Sequence, residues 1–226
     1  MKKIYKALLI VLATLAIFIG LYYIQYPTKE DRASLETEIQ SFQDFEGIKI
    51  QNEKVIDNKI IAMYTFNDGM GYAIFNKGIN GRCLLTSAHN SNGDTILIGS
   101  EETRKDSYKV FAGKNYDNKI NTIEFIDTDE RRITVDVSKE DYYILALSNL
   151  KEASPMGKFN LYDANGNSIK EEIISKYLRN GKGGDSKFKA ELKIFNLWYV
   201  VVAFTSGVCI YLLYRTSKKE NIAIIG

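Results

Sequence analysis

The chain has 226 residues, of which 45% are hydrophobic and 26% charged, and its formal net charge is only +2. Bulk values like these are typical of globular proteins, and the small charge, with basic and acidic residues interleaved, gives no support for a nucleic-acid partner. Two cysteines are too few for a disulfide framework.

The first apolar segment covers residues 7–24, which contain no charge and follow Lys2, Lys3 and Lys6. This pattern predicts a cytoplasmic segment over 1–6 and a transmembrane helix over 7–24. A cleaved signal peptide is the alternative. Its apolar core typically has only about 7–15 residues and ends at a small-x-small motif, which this chain lacks. We therefore predict an uncleaved anchor.

A second apolar segment covers residues 195–214 and also contains no charge. It predicts a second transmembrane helix, followed by a cytoplasmic tail over 215–226. Because Cys209 falls inside this span, no disulfide with Cys83 is expected. Basic residues before the first span and after the second favour two cytoplasmic ends and an extracellular region over 25–194. Four lysines before the second span oppose this, but long loops cross membranes largely regardless of charge: Lys182, Lys187, Lys189 and Lys193.

The extracellular region begins with a predicted amphipathic helix over about 29–45. Thr28 and Asp31 resemble a capping box, and Leu35, Ile39 and Phe42 then recur at helical spacing. The helix is expected to end at Gly47 and to pack its apolar stripe on the rest of the domain.

Short β-type runs with turn residues between them fill the region from about 48 to 178. The clearest case is a hairpin, in which 120–126 is followed by the alternating run 132–137. The other predicted strands are 60–66, 71–75, 82–86, 95–98, 108–112, 142–147 and 159–162. Because no strand alternates with a helix, the expected fold is mainly β, an antiparallel β-sandwich of immunoglobulin-like or open-barrel type. Residues 168–178 could be a strand passing into a short helix, and the glycine-rich 179–194 is predicted to be a flexible linker.

The single histidine, His89, is the residue of greatest chemical interest. The run 84–90 resembles the segment around the catalytic histidine of trypsin-like serine peptidases, which implies an envelope hydrolase with His89 as general base. The rest of the family pattern is absent, because Ser186 lacks the glycines that would form an oxyanion hole around it. We therefore expect His89 to be a solvent-exposed turn residue and the chain not to be an enzyme.

Three further patterns have structural explanations that we favour. Residues 163–167 carry oxygen ligands like the start of a calcium loop, but no acid stands at the twelfth position, so a hairpin turn is expected. Residues 69–71 begin like a nucleotide loop without its third glycine or helix. No metal, cofactor or catalytic residue is therefore assigned. In the second span, Thr205, Ser206 and Gly207 could allow a close helix–helix contact, either with the first span or with another protein.

Three stretches, 71–78, 111–120 and 161–166, are similar to segments of small membrane-anchored extracytoplasmic β-domain proteins of low-GC Gram-positive bacteria. The resemblance covers about 60–169 and implies an exposed β-sandwich without a named activity. The function expected is a non-enzymatic interaction protein of sensor, immunity or exporter-accessory type. Its expected partners are the lipid bilayer and either another envelope protein or a secreted peptide.

Overall fold

The protein is described by a computed structural model that covers residues 2–67, 69–92, 96–103, 105–126, 130–148, 158–177, 182–188 and 192–223. Two compact units divide the chain. The two chain ends, Met1–Pro27 and Lys189–Gly226, form the first, which we call the helical unit. Thr28–Phe188 forms the second, the β unit.

The elements follow one another in a simple order. They are α1 Lys2–Gln25, β1 Thr28–Lys29, α2 Arg32–Gln43, β2 Lys49–Ile56, β3 Lys59–Phe66, β4 Gly69–Lys77, β5 Arg82–Asn92, β6 Ile96–Glu102, β7 Ser107–Lys114, a 3-10 turn Tyr116–Asn118, β8 Thr122–Ile126, β9 Arg132–Asp136, β10 Tyr142–Ser148, β11 Lys158–Tyr162, α3 Lys170–Tyr177, β12 Lys182–Phe188 and α4 Leu192–Ala223.

The strands form three antiparallel sheets. Sheet A has the order β1-β5-β4-β3-β2, with β12 also paired to β5, and has a half-barrel form. Sheet B has the order β10-β7-β6, and sheet C has the order β11-β8-β9. The prediction of a mainly antiparallel β protein with an apolar helix at each end is confirmed in this form. The predicted hairpin is also confirmed, since β8 and β9 pair with Glu124 opposite Thr134.

The amphipathic helix is present, but its start differs from the prediction. The N-cap of α2 is Asp31, whose carboxylate accepts a hydrogen bond from the Ser34 N–H at 3.0 Å. Thr28 takes no part in the cap because it belongs to β1, where it pairs with Cys83 of β5. The helix ends at Asp44, which adopts the left-handed conformation as its C-cap. A Ser, Thr or Asp at the cap satisfies N–H groups that the helix leaves without partners, and Asp31 stands directly before the first helical residue, Arg32.

Three apolar clusters lie on successive faces of the sheets. The first joins α2, through Leu35 and Ile39, to one face of sheet A. A second cluster joins the opposite face of sheet A to sheet B, and the third joins the other face of sheet B to sheet C. Alternation along the strands explains this, since neighbouring residues such as Val110 and Phe111 of β7 enter different clusters. Sheets A and B are thus covered on both faces.

Side chains also connect the strands at the borders of sheets A and B. From β2, the Asn52 amide donates to the Tyr142 carbonyl of β10 at 2.8 Å, and the Lys54 ammonium donates to the Ile144 carbonyl at 3.4 Å. From β3, Lys59 Nζ forms an ion pair with Glu101 Oε2 of β6 at 2.8 Å. The carbonyl groups of Tyr142 and Ile144 in β10 are therefore used within the molecule, which leaves these two unavailable for another strand.

Besides the two-residue β1, two strands were not predicted. The first, β2, carries charged and amide residues among its apolar ones, which hides its period of two. The second, β12, lies in the segment predicted as a flexible linker, and that prediction is wrong for Lys182–Phe188, which pairs with β5. Glycine and lysine have low strand propensity, so the sequence of this segment does not indicate a strand. The segment becomes a strand because it pairs with the edge of β5. Residues 179–181 and 189–191 of the predicted linker lie outside the described residues, and 192–194 belong to α4.

Candidate functional site

The two terminal helices are long and apolar enough to cross a membrane, over Ile4–Gln25 and Leu197–Arg215. They pack against each other in opposite directions. Near the middle of the pair, Thr14 Oγ1 lies 2.7 Å from Ser206 Oγ. Closer to the C-terminal end of α1, the ring of Phe18 meets the ring of Tyr199 edge to face, with 5.7 Å between the ring centroids.

The small residues of α4 have different environments. Ser206 makes the close contact with α1 that its residue type predicted. Thr205 instead donates to carbonyl groups of its own helix, and a Cβ added at Gly207 would meet nothing within 4 Å. The hydroxyls of Thr14 and Ser206 each also bond a carbonyl one turn earlier in their own helix, at 2.8 Å. Since the two hydroxyls carry only two hydrogens, one of the hydrogens must serve two of these three contacts.

His89 does not lie in a turn, as the sequence analysis expected, but in the middle of β5. Its ring stacks on Tyr72 of β4, with 4.6 Å between centroids and an interplanar angle of 21°. Strand pairing places it opposite Tyr72 on one side and opposite Ser186 of β12 on the other. Burial lowers the pKa of the half-buried imidazole below its ordinary value, so the ring is neutral at pH 7.

Two tyrosines fix the backbone around His89 because two glycines leave room for them. Tyr64 pairs with Gly71 across strands β3 and β4, and its hydroxyl donates to the His89 carbonyl at 3.2 Å. The Tyr72 hydroxyl reaches Gly99 of β6, so sheets A and B approach closely there. Burial raises the pKa of both tyrosine hydroxyls. They therefore stay protonated at any physiological pH.

This arrangement gives His89 a packing role. One face of the imidazole is covered by Tyr72, whereas a general base acts through an in-plane nitrogen at the ring edge, which this stacking does not block. Ser87 and Ser91 stand two residues away on the same strand and are buried. The structure does not describe the side chain of Ser186, so the hydrolase hypothesis and the expectation that the chain is not an enzyme both stay predictions.

The most developed polar cluster lies on sheet C, around Glu124. One carboxylate oxygen accepts from Asn160 at 3.1 Å and from the Tyr162 hydroxyl at 3.0 Å. The other accepts from Arg132 at 3.2 Å. The hydrogen bonds from Asn160, Tyr162 and Arg132 lower the pKa of Glu124. The carboxylate is therefore ionised at neutral pH, although Glu124 is only 8% exposed.

This cluster belongs to a polar sheet face, which we call the outer face of sheet C. Strand alternation and the register place eight described side chains on it: Thr122, Glu124, Ile126, Arg132, Thr134, Asp136, Asn160 and Tyr162. The opposite face contributes to the apolar cluster with sheet B. Among the described residues, this is the one sheet face that no apolar cluster covers.

The residues of the possible calcium loop and nucleotide loop, and the cysteine of the β unit, have structural roles. Asp163 accepts hydrogen bonds from the N–H groups of Asn165 and Asn167 and from the Asn167 amide, all within 3.0 Å. The prediction of a turn is therefore confirmed. Gly69 and Gly71 lie in strand β4. Cys83 is fully buried, and burial raises the pKa of its thiol to about 12, so it is unreactive.

Comparisons with protein-family models, with curated proteins and with solved structures give no match for this chain. The structure alone therefore has to support any functional proposal.

The Glu124 cluster was not predicted from the sequence. Glu124 stands between apolar residues in β8, where a charged residue is unusual. This position was the one feature of the sequence that could have indicated a polar cluster. Its partners could not be found from the sequence, because Asn160 and Tyr162 belong to a strand that is distant along the chain and adjacent only in the sheet.

Proposed function

We propose that this protein is a two-span membrane protein that holds the β unit outside the cell as a binding domain, with both chain ends in the cytoplasm. The observation that carries the proposal is the antiparallel packing of the two apolar helices. Because Thr14 meets Ser206 and Phe18 meets Tyr199, Gln25 at the end of α1 and Leu192 at the start of α4 lie at the same end of the pair. The chain continues from this end of the pair into the β unit, Thr28–Phe188, and returns to it afterwards.

The basic residues at the opposite end of the helix pair support the orientation. Lys2, Lys3 and Lys6 precede the apolar part of α1, and Arg215 follows that of α4. Positive residues near span ends favour the cytoplasm. On this proposal, sheets A and B form the β-sandwich or open barrel that the sequence led us to expect, with the cluster between them as its interior.

The binding surface that we propose is the outer face of sheet C. Both faces of sheets A and B are covered by apolar clusters within the molecule, whereas this face is not. Here an ionised carboxylate is held in place by three donors, beside an arginine whose side chain is 67% exposed. Such a surface suits a polar protein partner, either another envelope protein or a secreted peptide, because fixed charges give specificity.

Cysteine labelling in whole cells tests the orientation. Cys83 cannot report, since it is fully buried, so a reporter is placed at the exposed Lys139. In a Cys209→Ser background, we expect a membrane-impermeant maleimide to label the Lys139→Cys variant in intact cells. The matched Ser217→Cys variant, in the tail, should be labelled only after permeabilisation. The reverse result would contradict the orientation.

Site-specific photocrosslinking tests the binding surface. A crosslinking residue replaces Thr122 on the outer face of sheet C, and the control position is Thr37, on the exposed side of α2. We expect a discrete adduct with a second protein or a peptide from Thr122 alone, which decreases when Glu124→Gln is added. Equal adducts from both positions, or adducts that ignore Glu124→Gln, would show that partners do not use this face.

A further inference from the structure

Strand β9 is an edge strand that lacks several of the usual protections. Among the described residues, its one strand partner is β8, and the register with β8 is regular over all five residues. Native proteins commonly protect an edge with a very short strand, charged side chains, proline, a bulge or a charge that points inward. Arg132–Asp136 has no proline, bulge or inward-pointing charge. Its two charged residues are of opposite sign and lie on the outer face of sheet C, and its inward residues are Ile133 and Val135.

One backbone hydrogen bond shows which groups line the free edge. The Val137 N–H donates to the Asn121 carbonyl at 2.9 Å. In an antiparallel pair the residues that bond to one neighbour alternate with those that face away from it. Ile133 and Val135 therefore bond to β8, while Arg132, Thr134 and Asp136 present their N–H and C=O groups at the open edge.

This edge is complementary to itself. If a second β9 lies antiparallel beside the first, with Thr134 opposite Thr134 of the second copy, then Arg132 stands opposite Asp136 of the second copy, and Asp136 opposite its Arg132. On the inner side, Ile133 meets Val135 of the second copy, and both residues are only half-buried in one copy. Any other antiparallel register places a charge against an uncharged residue, a like charge or a position beyond the strand.

Both charges have capacity for a second partner. The Arg132 side chain is 67% exposed and uses one of its nitrogens on Glu124, whereas a guanidinium has five N–H donors. Asp136 is exposed, and its Oδ1 accepts the Ser138 N–H at 2.8 Å. A carboxylate has about four acceptor positions, so several stay open.

We propose that two copies of this chain associate through antiparallel pairing of their β9 strands about a two-fold axis at Thr134, which joins the two three-stranded sheets C into one continuous sheet. Such an interface is isologous and closes as a dimer, because each copy uses its free edge once. Backbone hydrogen bonds supply the attraction, and the crossed pairs of Arg132 with Asp136 set the register. The proposal does not depend on the binding role of the outer face, so either can fail without the other.

Disulfide crosslinking of the full-length protein in membranes tests the axis. In a Cys209→Ser background, residue 134 of each copy would have a Cα within about 5.5 Å of its counterpart, which a disulfide can bridge. We expect the Thr134→Cys variant to form a covalent dimer upon mild oxidation. The matched control is Thr122→Cys, the same substitution on the same face but on the central strand β8. Its counterpart lies three strand spacings away, on the order of 14 Å, and is also displaced by four residues along the strands, about another 14 Å, so the two are on the order of 20 Å apart and the variant should stay monomeric. Equal dimer yields from the two variants would overturn the proposal.

Charge reversal tests the register. In the Thr134→Cys protein, either Arg132→Asp or Asp136→Arg places like charges opposite each other at two positions, and the dimer yield should fall about fivefold or more. When the two charge variants are coexpressed with different tags, the mixed dimer regains both opposite-charge pairs, and its yield should return to the parent level. A mixed yield no higher than that of each variant alone would contradict this register. If the charge variants do not accumulate, the comparison of Thr134→Cys with Thr122→Cys still tests whether the two β9 strands pair.

Discussion

The close approach of sheets A and B at Gly99 leads to a prediction about stability. A Cβ at this position would occupy the space of the Tyr72 hydroxyl and would lie 3.1 Å from the Tyr72 Cζ. Tyr72 is itself 1% exposed and stacked on His89, so it cannot swing away without disturbing the interior. Gly99→Ala should therefore destabilise the β unit, although alanine is otherwise preferred to glycine in a strand.

The magnitude follows from two opposing contributions. Overpacking a well-filled interior costs about 1–3 kcal/mol, while replacing a strand glycine with alanine returns about 0.5–1 kcal/mol. The net loss should be about 0–2.5 kcal/mol, with about 1 kcal/mol at the midpoints of the two ranges, and each kcal/mol lowers the midpoint of thermal unfolding by roughly 2–4 °C for a unit of this size. Resistance of the β unit to protease, measured against temperature in detergent, provides the assay.

A second substitution determines whether the clash is the cause. Tyr72→Phe removes the hydroxyl that the new methyl group meets, so it should stabilise the Gly99→Ala protein by about 1 kcal/mol while leaving the parent protein unchanged or slightly less stable. The control is Gly71→Ala with Tyr64→Phe. There the added Cβ also meets the His89 carbonyl oxygen, a backbone atom, so no rescue is expected. If Tyr72→Phe has the same effect with and without Gly99→Ala, the packing argument is wrong.

Three further predictions concern other parts of the β unit. Leu35→Ala should cost about 2–5 kcal/mol and expose α2 to protease, because Leu35 is fully buried against sheet A, whereas Thr37→Ala on its exposed side should be neutral. Because its hydrogen bonds lower the pKa of Glu124, the stability that they provide is complete above the ordinary glutamate pKa of about 4.3 and is lost as the pH falls below it. Urea unfolding of Glu124→Gln should thus show lower stability at pH 7 and a weaker loss toward pH 3. Burial lowers the pKa of His89, so the unfolded chain binds its proton first, and stability should fall as the pH decreases below about 6.5. His89→Phe, which keeps a ring on Tyr72, should remove that part of the pH dependence.

Much of the β fold could be predicted from the sequence, because local patterns determine it. Alternation of apolar and polar residues identified β8 and β9, and turn residues separated most of the other strands. The patterns failed where pairing depends on distant partners. Strand β12 is rich in glycine and lysine and is held by the edge of β5. Strand β5 itself extends through His89 to Asn92, past the predicted end at residue 86, because β4 pairs with it along that length.

The polar cluster on sheet C also depends on residues that are distant along the chain. Glu124 could be recognised as an unusual charge within an apolar strand, but its meaning depends on Asn160 and Tyr162, which reach it only through the pairing of β11 with β8. The helix contact was easier to anticipate, since small residues within an apolar span indicate close packing. Even so, the sequence could not distinguish Ser206, which meets Thr14, from Thr205, which bonds its own helix.

The two proposals have a joint consequence for how the protein could bind. A two-fold axis between antiparallel strands is perpendicular to the sheet, so the outer faces of both copies of sheet C would lie on the same side of the joined sheet. The two Glu124 clusters, each on a central strand, would then stand on the order of 14 Å apart. A partner with repeated or two-fold symmetric contacts could engage both clusters, and the second contact would form at a high effective concentration. Substitutions in β9 that separate the copies would therefore weaken the binding of such a partner, although they leave each Glu124 cluster with its contacts from β11.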